Sequence, residues 1–309
     1  MVRADVQGPP KGDASSSPRS VQAGTERYQF CLRSAKARQS PPLRLEANVA
    51  LRRALSGGGA LFAASLLLTL FAFPGPAQQV SDHSGVNTYG YPGLIDMPTA
   101  HSREDGELAF TVSHFRNQTR STLTFQITPR LSGSFRYSNL YNVRRNVNQP
   151  FRDFIFDRSF SLHYRLFAEQ VNRPAVAVGL NDFFGTGIYS SEYVVASKTF
   201  GSRLRITGGL GWGRLGGYNG FDNPLSFLGD RFETRPVLDT AQGGQVETEN
   251  WFRGDAAFFG GLEYQATDSL RLIAEYSSDT YPNEEGEAFD QESPLNVGLK
   301  YDLRPGVTL

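Results

Sequence analysis

Cysteine is nearly absent: Cys31 is the only one in 309 residues. It lies in a leader rich in Ser, Pro and Arg, so the chain beyond that leader has no disulfide and no thiol to carry a lipid. An oxidising compartment is permitted and not demanded. The segment after Ala77 also lacks any amphipathic helical period of useful length, which argues against a helical fold. No apolar run reaches the roughly 20 residues a membrane-spanning helix needs. Excess positive charge is missing as well. From Gln78 onward there are 21 Lys+Arg against 27 Asp+Glu, 21 − 27 = −6, spread along the chain; a nucleic-acid partner would call for a concentrated basic patch.

What the leader does contain is ordered. Residues 1–48 have no apolar period and read as a disordered or non-native extension. Then come Arg52 and Arg53, an apolar run from Ala60 to Phe73, and PGPAQQ with small residues at Gly75 and Ala77. That order of charge, apolar core and small residues is a secretory signal peptide over 49–77, cleaved after Ala77, with Val49 as the expected true start. Residues 78–106 form a periplasmic lead-in.

From residue 107 the chain reads as strand after strand: 107–115, 120–128, 131–140, 156–168, 174–183, 188–200, 203–213, 255–267, 269–278 and 294–303. Several alternate with period two. In the last, Leu295, Val297, Leu299 and Tyr301 oppose Asn296, Lys300 and Asp302; in the ninth, Leu270, Leu272, Ala274 and Tyr276 oppose Arg271 and Glu275.

Alternation alone does not separate a soluble β-sandwich from a membrane barrel. Strands of about ten residues match a tilted bilayer crossing, whereas soluble strands average about five or six. Short links mostly alternate with long polar ones, at 139–155, 214–254 and 279–293, as in an outer-membrane barrel. Tyr141, Tyr164, Tyr189, Phe200, Trp212, Tyr264 and Tyr301 sit near strand ends, where rings suit the lipid–water interface. The expected fold is all-β: an antiparallel transmembrane β-barrel of outer-membrane type over 107–309, with about ten strands present. The end at RPGVTL, entering an eleventh strand, reads as a truncated barrel. With the apolar face toward lipid, Glu192, Lys198, Arg203, Arg205, Glu263, Arg271, Glu275 and Lys300 become candidate lumen-facing residues, lining a polymer path or forming a structural salt-bridge lattice.

The blocks YGYPGLIDMPTA, DGELAFTVSHF, TLTFQITPRLSGSFRY, VGLNDFFGTGIYSSEYVVASKTFG and LRITGGLGWGRLG, in this order, resemble the YjbH family of Gram-negative outer-membrane proteins linked to exopolysaccharide production. The similarity runs from about Asn87 to the C-terminus. Its motif residues here are Tyr89, Gly90, Pro92, Gly93, Gly185, Thr186, Gly187, Ser190, Ser191, Glu192 and Tyr193. Some members are lipoproteins; with no cysteine at the cleavage site, lipid anchoring is not carried over. The resemblance implies a non-enzymatic outer-membrane protein assisting synthesis, export or surface retention of an exopolysaccharide, with outer-membrane lipid, the polymer and other export proteins as partners. A general porin and a soluble periplasmic polysaccharide-modifying enzyme are the alternatives.

Other motifs carry little chemistry. Pro92-Gly93 suits a type II turn with Gly93 at positive φ. Gly211, Gly213 and Gly216 have dinucleotide-fingerprint spacing, but no helix pattern follows, so bends and close packing are the better reading. FFGTGIYSSEY looks like a tight hairpin, with Gly185 and Gly187 in unusual backbone angles. His83, His101, His114 and His163 show no triad or metal spacing, so no catalytic residue, metal or cofactor is expected. The acidic stretch NEEGEAFDQE, with Glu284, Glu285, Glu287, Asp290 and Glu292, reads as a solvated loop.

Overall fold

A computed structural model describes residues 85–143, 150, 152–236, 245–246, 248–284 and 290–309. The extension, the signal peptide, His83, Glu285 and Glu287 lie outside the described residues. Among the described residues twelve strands follow one another: β1 (Leu108–Phe115), β2 (Gln118–Gln126), β3 (Leu131–Leu140), β4 (Ile155–Phe167), β5 (Ala175–Gly185), β6 (Ser191–Phe200), β7 (Leu204–Gly213), β8 (Gln245–Val246), β9 (Ala256–Thr267), β10 (Leu270–Tyr276), β11 (Leu295–Arg304) and β12 (Val307–Thr308). The ten long strands fall within three residues of their expected bounds, and β12 is the short eleventh strand expected in RPGVTL. The two-residue β8, paired with the end of β5, was not foreseen.

Every pairing is antiparallel, and the sheet runs β1-β2-β3-β4-β5-β6-β7-β9-β10-β11-β12. Among the described residues it does not close into a barrel, because β1 and β12 do not pair with each other. It is nonetheless strongly curled. Gln118 on β2 donates to Glu284 beyond β10 at 2.8 Å, although these strands lie seven steps apart, about 34 Å at the usual strand spacing of roughly 4.8 Å.

Burial on this sheet is inverted relative to a water-soluble fold. On β1, Leu108, Phe110 and Val112 are 61–69% exposed, and on β11 Leu295, Val297, Leu299, Tyr301 and Leu303 are 44–63% exposed. Meanwhile Gln118, Arg120, Thr122, Thr124 and Gln126 alternate into the buried face of β2, and Ser132, Ser134, Arg136 and Ser138 into that of β3. Polar side chains are covered because residues 85–102 lie across this inner face. The strand-end aromatics mostly stand on the outer face, with Tyr141, Tyr164, Phe200, Tyr264 and Tyr301 exposed. Tyr189 and Trp212 are buried instead, Trp212 on the outer register opposite Glu192. Tyr189 sits on the β5–β6 link that folds over the inner end, and Trp212 is covered by Phe252 at 5.1 Å and donates to Asn223 at 3.0 Å.

Inside, apolar packing is confined to small clusters, one built from Met97, Ala100, Ala175, Ala177, Tyr193, Val195, Leu215 and Phe259. Glycines make room for the rings: a Cβ on Gly179 would fall inside the Tyr193 ring, whereas Gly208 on β7 faces open space. Gly179→Val should therefore cost about 1–3 kcal/mol by overpacking, lowering the thermal unfolding midpoint in detergent by several degrees, while Gly208→Ala should leave that midpoint within about a degree.

Candidate functional site

The segment 85–102 is held by backbone polarity rather than by secondary structure of its own. Asn87 organises its first turn: Gly90 N–H donates to Asn87 O at 2.9 Å, and Asn87 Oδ1 accepts from the Tyr89 and Tyr91 amides. The positive φ of this turn falls on Gly90 (+88°), not on Gly93 as the Pro-Gly pair suggested. Pro92 and Gly93 lie instead in extended bridges with Val86 and Pro98, and Gly93 is required because a Cβ would press on Met97 O and Asn87.

The sheet then supplies partners strand by strand. Thr122 Oγ1 donates to Tyr89 O at 2.9 Å and Thr124 Oγ1 to Gly90 O at 2.5 Å, both from β2. Ala100 N–H donates to Ser197 Oγ on β6 at 3.0 Å, and Lys300 Nζ on β11 donates to Gly93 O at 2.7 Å. The strongest clasp comes from β10. The Glu275 carboxylate accepts from three successive amides, Ile95, Asp96 and Met97, each at 2.9 Å, and from the Asn296 side chain at 3.2 Å. Charge-assisted bonds of this kind are roughly twice as strong as neutral ones.

Beyond the clasp, the two motif stretches 89–93 and 185–193 meet in one tyrosine–arginine cluster. Tyr89 packs edge-on to Tyr189 at 5.7 Å, and Tyr91 stacks on Tyr193 at 6.4 Å. The Arg120 guanidinium lies 4.1 Å over Tyr89, that of Arg136 4.4 Å over Tyr189, and that of Arg214 4.6 Å over Tyr189. Arg214, in the β7–β9 link, is neutralised by Asp279 at 2.6 Å and Glu284 at 2.9 Å in the β10–β11 link. Burial pushes the Tyr91 and Tyr189 hydroxyls up to about 12, keeping them neutral. Burial also lifts the Asp279 carboxyl to about 6, opposed by Arg214 and reinforced by Glu284. Glu284 is therefore not part of a solvated acidic loop, although Asp290 and Glu292 are exposed.

Among the candidate lumen residues, Arg205, Glu263, Arg271, Glu275 and Lys300 share the inner register. Arg205 pairs with Glu263 at 3.0 Å and Arg271 with Asp302 at 2.9 Å. Three do not line the inner face. Arg203 is exposed in the β6–β7 turn, since β7 starts at Leu204. Glu192 and Lys198 are on the outer register, because β6 turns Tyr193, Val195 and Ser197 inward, toward Tyr91 and Ala100. Two adjacent valines, Val194 and Val195, blurred the alternation there. Glu192 is buried under the β7–β9 link, where Arg235 grips it at 2.7 and 3.0 Å and also holds Ser190. Lys198 pairs with Glu169 at 3.2 Å.

The remaining motif residues are structural. In the β5–β6 link only Gly187 has positive φ (+79°). Gly185 is needed because a Cβ would strike Asp182 and the Arg158 carbonyl. Thr186 donates to Asp157, and Ser191 accepts from Asn181. Of the fingerprint glycines, Gly213 has φ +62°, while Gly211 and Gly216 back closely onto Leu215 and Asp255. Among the described residues no group of three or more His, Cys, Asp or Glu could hold a metal.

Glu275→Gln keeps the size but turns one acceptor into a donor facing amide N–H groups, which should cost about 1–3 kcal/mol. Hydrogen exchange at Ile95, Asp96 and Met97 should speed up by about 5- to 150-fold, since each 1.4 kcal/mol is a factor of ten, with β1–β4 amides unchanged. The Asp279 carboxyl holds its proton more tightly when folded than its reference value of 3.8. Its contribution to stability is therefore complete below pH about 4 and lost as pH rises through about 6. Asp279→Asn should flatten the slope of the melting temperature over that window in detergent.

The family model for YjbH, the exopolysaccharide biosynthesis protein YbjH, matches residues 85–309. An uncharacterised lipoprotein YjbH of Escherichia coli (strain K12) is 35% identical over 230 residues, covering 74% of this chain and 32% of that relative. The chain thus spans about a third of that relative's length. No solved structure matches. The family match begins where the segment across the inner face begins and takes in every strand, clasp and ring described above, and by it the chain belongs to the YjbH exopolysaccharide biosynthesis family.

Proposed function

We propose that this protein works without enzymatic chemistry as an outer-membrane β-barrel component that assists synthesis, export or surface retention of an exopolysaccharide. One observation carries the membrane part: along the long strands most large apolar side chains are outside and most charged ones inside. In water, leaving Leu108, Phe110 and Val112 exposed while burying Arg120, Arg136 and Glu275 would lose on both counts. Against hydrocarbon the same pattern is favourable. The polymer part is supported by the family alone.

In lipid, unpaired backbone groups cost several kcal/mol each, so the reading requires a strand partner for the free edge of β1. The filled inner face supports an assembly or retention role over a general porin, since a porin needs an aqueous lumen.

The test is fractionation joined to genetics. The protein should resist alkaline carbonate extraction and travel with outer membranes, and deleting its gene should reduce surface polymer, restored by the wild-type gene. A protein that folds and stays dissolved without detergent overturns the reading. Large, unselective conductance in planar bilayers would replace the assembly role with a channel.

A further inference from the structure

Three charged side chains stand on the outer register of the described long strands: Arg158, Glu192 and Lys198. Glu192 is taken by Arg235 and Lys198 by Glu169. Arg158 forms no ion pair with any described residue. It is exposed between Phe156 and Phe160, opposite Tyr137 on β3, with its guanidinium 5.5 Å from the Tyr137 ring centroid. Tyr137 in turn packs on Phe156 at 5.7 Å, and Phe154 on Phe156 at 4.2 Å. A cation is thus set in a wall of rings with no anion among the described residues to answer it.

Depth decides what answers it instead. Arg158 lies three residues into β4, at the end of the sheet that bears the long links. That is about 10 Å along a strand rising roughly 3.3 Å per residue, or about 7 Å of depth at a tilt of about 45°. An arginine near the midplane of the bilayer costs about 2–4 kcal/mol, falling to about 0–1 near the interface, and its stem can reach outward to place the charge at headgroup level. Arg116 and Arg152 are exposed at the same end, in the β1–β2 turn and the β3–β4 link, and add positive potential. A ligand that meets this surface must be apolar where it covers Phe156 and Phe160 and anionic where it meets Arg158. A membrane lipid with a phosphorylated headgroup has both parts, and guanidinium recognises phosphate by paired hydrogen bonds.

We infer that Arg158, seated among Tyr137, Phe154, Phe156 and Phe160, is a binding site for the phosphate of a net-anionic membrane lipid headgroup, as distinct from a zwitterionic one, at the long-link end of the sheet. The inference rests on the membrane reading given above.

The test reconstitutes the full-length protein and its Arg158→Leu and Arg158→Lys variants into phosphatidylcholine vesicles, with or without diphosphorylated lipid A. Flotation reports insertion and thermal unfolding reports the lipid contact. The expected result is flotation of all three, with lipid A raising the wild-type midpoint by several degrees. That gain should vanish in Arg158→Leu and survive in part in Arg158→Lys. Inorganic phosphate at millimolar concentration should give no gain, separating a lipid seat from a free-phosphate site. If all three float and Arg158→Leu keeps the full gain, or if phosphate alone reproduces it, the inference falls while the membrane reading stands. If the wild type does not float, both fall.

Discussion

A buried carboxylate or guanidinium without a partner costs several kcal/mol, and the inner face of this sheet is built from such groups. Arg120, Arg136, Glu263, Arg271, Glu275 and Lys300 are all 9% exposed or less. The sheet alone does not satisfy them, since neighbouring strands set Arg271 opposite Lys300 and leave Arg120, Arg136 and Glu275 opposite uncharged residues. Residues 85–102 resolve this by bringing unpaired backbone: amides of Ile95, Asp96 and Met97 to Glu275, the Gly93 carbonyl to Lys300, and the Tyr89 ring to Arg120. A segment without secondary structure is suited to the task because its N–H and C=O groups are free to be shared out.

The same constraint explains why the interior is aromatic as well as charged. A tyrosine offers a π-face to a guanidinium and a hydroxyl to a polar neighbour, so one side chain answers two. Tyr189 receives Arg136 and Arg214 on its ring while its hydroxyl donates to Gln118 at 2.8 Å. Gly179 beneath Tyr193 lets that ring lie flat on β5, where its hydroxyl meets His163 at 2.8 Å. Glycine and tyrosine in the strands thus share one cause: large rings must fit against backbone inside a curled sheet.

Strand positions were legible because period-two alternation is a local property. The direction of Arg205, Glu263, Arg271, Glu275 and Lys300 followed from it, while Glu192 and Lys198 were misassigned where two valines in succession made the parity ambiguous. The tyrosine–arginine cluster was not legible, because its members come from the lead-in, β2, β3, β6 and three different links, and nothing in a linear reading brings Tyr89 beside Tyr189 or Arg214 beside Glu284. One signal was available. Gln118, Arg120, Thr122, Thr124 and Gln126 form a polar period-two row as regular as any apolar one, and so long a polar face needs something to cover it.

That cover bears on what the molecule can pass. Each net hydrogen bond is worth about 1 kcal/mol, and those to charged groups about 1.5–3. Leu94 and Met97, fully buried, add about 1.5–3 each. Its contacts with β1, β2, β6, β10 and β11 tie the segment down at points along its length. As placed, it forms part of the wall of the curled sheet, and the inner face beneath it is filled.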